Sequence, residues 1–391
     1  MKYKLTLPPL LALFPLAAQA HVQWFVKPEE MKDVSLPLDA TSIWLSAGVL
    51  ACVLAAILLT RYSGVLSITE KLVSRIPPVD HRLYLIYFMA LIDTFLVMIL
   101  LQGGFLAPNL ILPVSLLPVG VFLQAVIVVC SSFSMALAGV AVLFTTGVVL
   151  FIFTPLSVNY VFEFGAIGIF MILNGPVISR ADQWALSADK AEQRWKLSVR
   201  ILRIGIGLQL VVLALTEKLI NPGLGLVFVE MYPFYNFFPA LGLEQVSNLH
   251  FVYFIGIAEL VLGSMLALGI ACRIVLAALA AAFTTTAIIH GLHEILGHLP
   301  IFAAAVVLLL ECVDEPAKAE VRETKNRARE RSETRERSET RERSGTREKN
   351  IRAVGKTKKP ATRKKRPTVQ PNPQYTTILN EHTDQPRARH G

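Results

Sequence analysis

Glu259 is the residue whose chemistry is hardest to set aside. It lies in the run Tyr253-Phe254-Ile255-Gly256-Ile257-Ala258-Glu259-Leu260-Val261-Leu262-Gly263. A carboxylate at the centre of an apolar span costs ~2.5–3.5 kcal/mol on insertion scales, so it faces the protein interior and finds a partner. Proton transfer, a hydrogen bond to a quinone and metal ligation all suit it. An ion pair with an arginine of the preceding span or with Arg273 suits it equally. Asp93, beside Thr94 in an earlier apolar run, obeys the same rule. Gln124 is cheaper to bury and reads as a hydrogen bond between helices.

The histidines form a second set. His290 and His293 are three residues apart, so one helical turn presents both imidazoles together. Glu294 adjoins them and His298 follows. Imidazole is the commonest metal ligand, which makes His21, His290, His293 and His298 the metal-ligand set this sequence offers. The spacing matches no established motif, and solvated interfacial histidines would look the same. Cleavage of a leader after Ala20 would leave His21 first, presenting an amine and an imidazole to one ion. Copper, which favours nitrogen ligands in tetragonal geometry, suits that pair. Trp24 and Phe25, just behind, read as an anchor at the membrane interface.

Membrane helices must position these residues. Of the 391 residues, 53% are hydrophobic and 17% charged, against about 25% charged in soluble domains. The charges also segregate into a tail after long apolar blocks. The fold class expected is all-α and polytopic, with about nine transmembrane helices arranged as one helix plus two four-helix bundles. The helices centre on residues 43–59, 83–101, 118–130, 135–153, 158–173, 201–215, 250–268, 274–289 and 299–311. Residues 1–20 read as a signal peptide, with Lys2 and Lys4, a short apolar core and Ala18-Gln19-Ala20 as the cleavage site. Residues 21–42 follow as an extracytoplasmic segment, 43–178 as a first helical unit and 179–199 as a cytoplasmic linker. A second four-helix unit spans 200–312 and a charged tail 313–391.

Lys and Arg concentrate in the loops 61–82 and 176–200, which marks those loops as cytoplasmic. The expected place is a bacterial inner membrane, with the mature N-terminus periplasmic and the C-terminus cytoplasmic. A retained leader would add a tenth span without altering the rest. The two halves share a faint repeat, in which Gln124 falls near Glu259 and Phe144-Thr145-Thr146 near Phe283-Thr284-Thr285. The tail repeats Arg-Glu-Arg-Ser-Glu-Thr and has no apolar face to bury, so it is expected to be disordered. Its basic stretch, Lys356 to Arg366, fits anionic lipid or a docking partner, and no aromatic residues interleave it, so no nucleic-acid partner is expected. The cysteines, Cys52, Cys130, Cys272 and Cys312, read as small buried hydrophobes rather than a disulfide framework.

The second half, about residues 200–311, resembles the DoxX-like family of four-helix membrane proteins. The resemblance rests on Arg200 or Arg203 opening its first helix and Thr216-Glu217-Lys218-Leu219-Ile220-Asn221-Pro222 closing it. Gly256, Glu259 and Gly263 follow, then Gly269 with Arg273, then His290-Gly291. It implies an accessory role in quinone-linked electron transfer, beside other respiratory or membrane subunits. Glu259 would handle a proton, and Arg273 and Lys218 would orient charge. The first half keeps the helix rhythm but lacks this polar set, as a degenerate repeat would. Two rival expectations come from other classes. One is periplasmic-face copper handling or transport through His21 and the His290/His293/His298 cluster. The other is a membrane adaptor whose basic tail binds partners. Quinone and copper are thus the two cofactor classes in view.

Overall fold

The computed structural model describes residues 22–62, 81–185 and 190–311, with Ser332. The leader, His21, Cys312 and nearly all of the charged tail lie outside them. Twelve α-helices are described. They are α1 (Ala40–Tyr62), α2 (His81–Leu101), α3 (Leu117–Ser131), α4 (Met135–Ile152), α5 (Val158–Ile178) and α6 (Arg180–Ala185). Then come α7 (Ala191–Ala214), α8 (Pro222–Met231), α9 (Asn248–Leu268), α10 (Cys272–His290), α11 (Leu292–Gly297) and α12 (Leu299–Glu311). Helix is the physical outcome, because a backbone in hydrocarbon must satisfy its own N–H and C=O groups. Seven helices are long and apolar enough to cross a membrane: α1, α2, α4, α5, α7 with its last turn, α9 and α10. α3 and the apolar part of α12 are shorter. All nine expected apolar helices are present, and the chain is an all-α polytopic membrane protein.

Exposure confirms what the helices face. Phe122, Phe144, Phe151 and Ile288 are each more than half exposed. Large apolar side chains outward on spans this long are what a lipid-facing surface presents. The opposite faces bury Leu85, Ile92 and Leu96 of α2, Phe164 and Phe170 of α5, Leu202 and Leu210 of α7 and Ala304 of α12 in one core.

The two halves interlock instead of forming separate bundles. α5 packs along α7 across the linker, and α12 returns to pack against both α2 and α7. The linker differs from its expected form for the same reason: α6 lies within it and α7 starts at Ala191. Asp182 of α6 takes hydrogen bonds from Ser134 Oγ (2.5 Å) and Ala136 N (3.1 Å) at the start of α4. An acidic side chain there also meets the positive end of the α4 dipole.

α7 and α9 approach backbone to backbone. A Cβ on Gly207 would fall 2.5 Å from Ala267 N, and one on Gly263 would fall 2.7 Å from Gly207 O. Small residues at such a crossing are how membrane helices gain contact where lipid offers no hydrophobic drive. A smaller core lies at one end of the molecule. It joins Val22 and Val26 of the N-terminal segment to Phe228, Val229, Tyr235, Phe251 and Ile255. That end is the N-terminal face below. Two expectations change here. Trp24 and Phe25 pack against protein side chains, as set out below, rather than serving as a membrane anchor. Cys272 is disulfide-bonded, whereas Cys52 is an exposed free thiol and Cys130 a buried one.

Candidate functional site

The last turn of the long helix that begins as α7, Leu215–Leu219, widens into a π-turn. Extra-wide turns of this kind recur at functional sites. Here the turn directs two adjacent side chains inward, so that Glu217 and Lys218 are both fully buried. Helix packing on both sides buries them at a helix end where such charged side chains ordinarily reach solvent.

Lys218 Nζ lies 2.8 Å from Oε2 of Glu259, and both side chains are buried. Gly256, one turn before Glu259, makes room: a Cβ there would come within 3.2 Å of Lys218 Cβ and 2.7 Å of Leu219. The partner of Glu259 is thus a lysine of the π-turn, not the arginine expected of it. Glu259 Oε1 has no hydrogen-bond partner among the described residues.

Glu217 is held by other segments. Its Oε2 accepts the backbone N–H of Val22 at 2.7 Å, and its Oε1 accepts Asn159 Nδ2–H at 3.1 Å. Asn159, on the first turn of α5, also accepts from Thr216 Oγ1 at 2.8 Å through its side chain, and Gln209 Nε2 donates to its backbone carbonyl. The Gln209 carbonyl oxygen accepts Glu163 N–H at 3.3 Å. Lys218 and Glu259 both act electrostatically on Glu217. A charge held this deep survives only when paired and hydrogen-bonded, and this network supplies most of what the pair needs.

The N-terminal segment closes the centre from its own face. Trp24 Nε1–H donates to Tyr160 Oη at 2.9 Å, and Tyr160 donates to Asn109 Oδ1 at 2.6 Å. Three histidines receive the same segment. His290 packs with its ring tilted against Phe25 at 4.6 Å and is hydrogen-bonded through Nε2 to Tyr235 Oη at 2.8 Å. His298 packs on Trp24 at 4.8 Å and on Phe283 at 4.6 Å, with its Nδ1 at 2.9 Å from the Glu294 carbonyl. His250 Nε2 meets Asp39 at 2.9 Å. The aromatic loop after α7 takes part through Phe228, Tyr232 and Tyr235, whose rings surround His290. It forms a cap over the segment.

Three groups outside the spans have their acidity shifted by these surroundings. Burial pushes the Glu294 carboxyl up to about 7, against a lowering hydrogen bond from Thr286. Burial also raises the Tyr235 hydroxyl, with Glu294 adding to the shift. Asp39 is exposed and held below the ordinary carboxylate value, first by the Ser42 backbone N–H and then by His250.

The structure therefore joins Glu259 to Lys218 and leaves Arg273 elsewhere. Arg273 opens α10, beyond the far end of α9, and the nine rises from Glu259 to Leu268 alone span about 14 Å of helix. His290 and His298 share the N-terminal face. His21 lies outside the described residues, and of His293 only the backbone, on α11, is described. Among the described residues no three His, Cys, Asp or Glu side chains group as a metal site. Asp93 accepts Ser131 Oγ–H at 2.6 Å, and Gln124 donates to Leu96 O at 3.1 Å, as helix-to-helix contacts.

Sequence reasoning overlooked Glu163, Asn159 and Gln209, all buried. The signal for Glu163 was present, since it too is a carboxylate in an apolar run. That Val22 N–H reaches Glu217, 195 positions away, left no trace in the sequence. No family model matches the chain, and comparisons with curated proteins and with solved structures find no match either.

Proposed function

We propose that this chain is a DoxX-like integral membrane protein acting as an accessory subunit in quinone-linked electron transfer, with Glu217, Lys218 and Glu259 as its proton-handling centre. The observation that carries the reading is the buried Lys218–Glu259 pair with a second buried carboxyl, Glu217, under the influence of both. A purely structural pair needs one cation and one anion. The added carboxyl leaves the group one negative charge in excess if both acids ionise, and an apolar interior neutralises such a charge by retaining a proton. A group that holds a proton inside a membrane near one face can exchange it with that face. In this reading the N-terminal face is the periplasmic side of the inner membrane. The basic loops lie on the cytoplasmic side, in line with their charge.

Arg273 orients charge at the other end of the same helix pair instead of touching the centre. The test is quinone reduction by membranes that lack the chain and receive it back. Glu259→Gln is expected to lower the restored rate by about 10²-fold, the lower end of what a positioned acid–base group contributes. Full restoration by Glu259→Gln overturns the assignment.

A further inference from the structure

A third buried carboxyl lies beside this centre. Glu163 sits on α5 four residues after Asn159, so the two share one face with Cβ atoms about 6 Å apart. Asn159 is hydrogen-bonded to Glu217, and Gln209 contacts the backbone of both Asn159 and Glu163. Glu163 is 3% exposed. No hydrogen bond or ion pair reaches its carboxyl among the described residues, where the Asn159 amide serves Glu217 and the Gln209 amide serves Asn159. Tyr160, between them in sequence, feels the charge of both Glu217 and Glu163.

Among the described residues, Glu163, Glu217 and Glu259 ionised together would carry −3, and Lys218 returns +1, leaving −2 in an apolar interior. Burial of unpaired charge is expensive enough that acids neutralise instead. Lys218 supports one carboxylate, so two of the three acids hold protons. A quinone takes up two electrons and two protons on becoming a quinol.

We propose that Glu163 is the second proton-holding site of the centre, and that Glu217 and Glu163 together supply the two protons of a quinone-class acceptor. This rests on the proton-handling reading above. In the step, Glu217 gives up its proton toward the acceptor, and a water carries the Glu163 proton to the vacated Glu217 carboxylate for a second transfer. Two electrons come from a reduced flavin of a partner oxidoreductase, and the protons the flavin loses on oxidation pass to the solvent on the partner's side. The two quinone carbonyls become hydroxyls, and a proton from the N-terminal face refills Glu163 as its own moves on to Glu217, so the two glutamates are never both left as carboxylates.

Infrared spectroscopy of the full chain in lipid, with and without deuterium exchange, reads protonated carboxyls directly. Glu163→Gln is expected to remove the absorption of one protonated carboxyl at neutral pH, and to slow quinol formation by about 10²-fold at the second proton transfer, with two protons still taken up per quinone reduced. Glu163→Asp keeps the acid and is expected to keep a displaced band, which covers the case in which the amide variant does not fold. An unchanged carboxyl absorption in Glu163→Gln overturns the proposal. Loss of the band in Glu163→Gln while Glu259→Gln keeps its full quinone rate places the failure in the quinone reading, with Glu163 still a proton site.

Discussion

At the scale of single residues, the Lys218–Glu259 pair makes opposite demands on stability and on function. Removing one partner strands a buried charge, which costs ~3–5 kcal/mol, whereas replacing both is often neutral. Lys218→Met is therefore expected to lower thermal stability sharply, and Lys218→Met with Glu259→Gln to recover most of it; equal losses in the single and double variants would contradict the pairing. Glu294 gives a separate test outside the spans. Burial raises its carboxyl from 4.5 to about 7, so the folded state holds the proton more tightly than the unfolded chain does. Stability should fall as pH rises from about 4.5 to about 7, then level off, and Glu294→Gln should flatten that decline in denaturation curves. Asp39 has the opposite sign. Its lowered value makes its bonds to Ser42 and His250 a contribution present above pH 3.8 and lost as pH falls through that range. Legibility at this scale was uneven. Glu259 stood out because an acid in an apolar run is costly. Lys218 came into view only through the family resemblance and not as the ion-pair partner of Glu259, because it lies at a helix end where lysine ordinarily reaches solvent.

At the scale of elements, two close contacts organise the site. The glycine crossing of Gly207 with Gly263 sets α7 against α9, and the π-turn then turns Glu217 and Lys218 toward α9 and α5. Gly207→Leu would force these backbones apart, with an overpacking cost of about 1–3 kcal/mol. It should also lengthen the Lys218–Glu259 contact, seen as loss of quinone-linked rate as well as of stability. A Gly207→Leu variant with wild-type stability would contradict the crossing. The N-terminal segment is the second contact. Trp24→Ala removes both the bond to Tyr160 and the ring against His298. It is expected to speed labelling of Glu217 by a water-soluble carbodiimide at least several-fold, and equal labelling of both proteins would show that the segment does not cover the centre. The helices themselves were readable, because apolar runs near 20 residues announce spans. The π-turn, the early start of α7 and the helix Pro222–Met231 were not, since each depends on packing rather than on composition.

At the scale of the molecule, an apolar surface surrounds a polar cluster near one end of an all-α membrane bundle. Nine of the apolar helices among the described residues, and their order, followed from composition and periodicity; the short Pro222–Met231 did not. Their arrangement did not: the sequence suggested two bundles divided by a linker, and α12 instead packs on α2 while α5 packs on α7. That interlocking matters to function because Asn159 and Glu163 of the first half complete a site whose charges come from the second. The histidines show the same limit. Their spacing suggested ligands, while His290, His298 and His250 each contact the segment 22–39. Carrying protons, and not merely holding helices together, is the role proposed for the buried Glu217–Lys218–Glu259 group. The quinone-linked rate of the Lys218→Met, Glu259→Gln double variant, measured once its thermal stability has been shown to match the parent, decides between the two. A folded protein whose rate falls by about 10²-fold is expected; the parent's rate in a folded double variant would overturn the role.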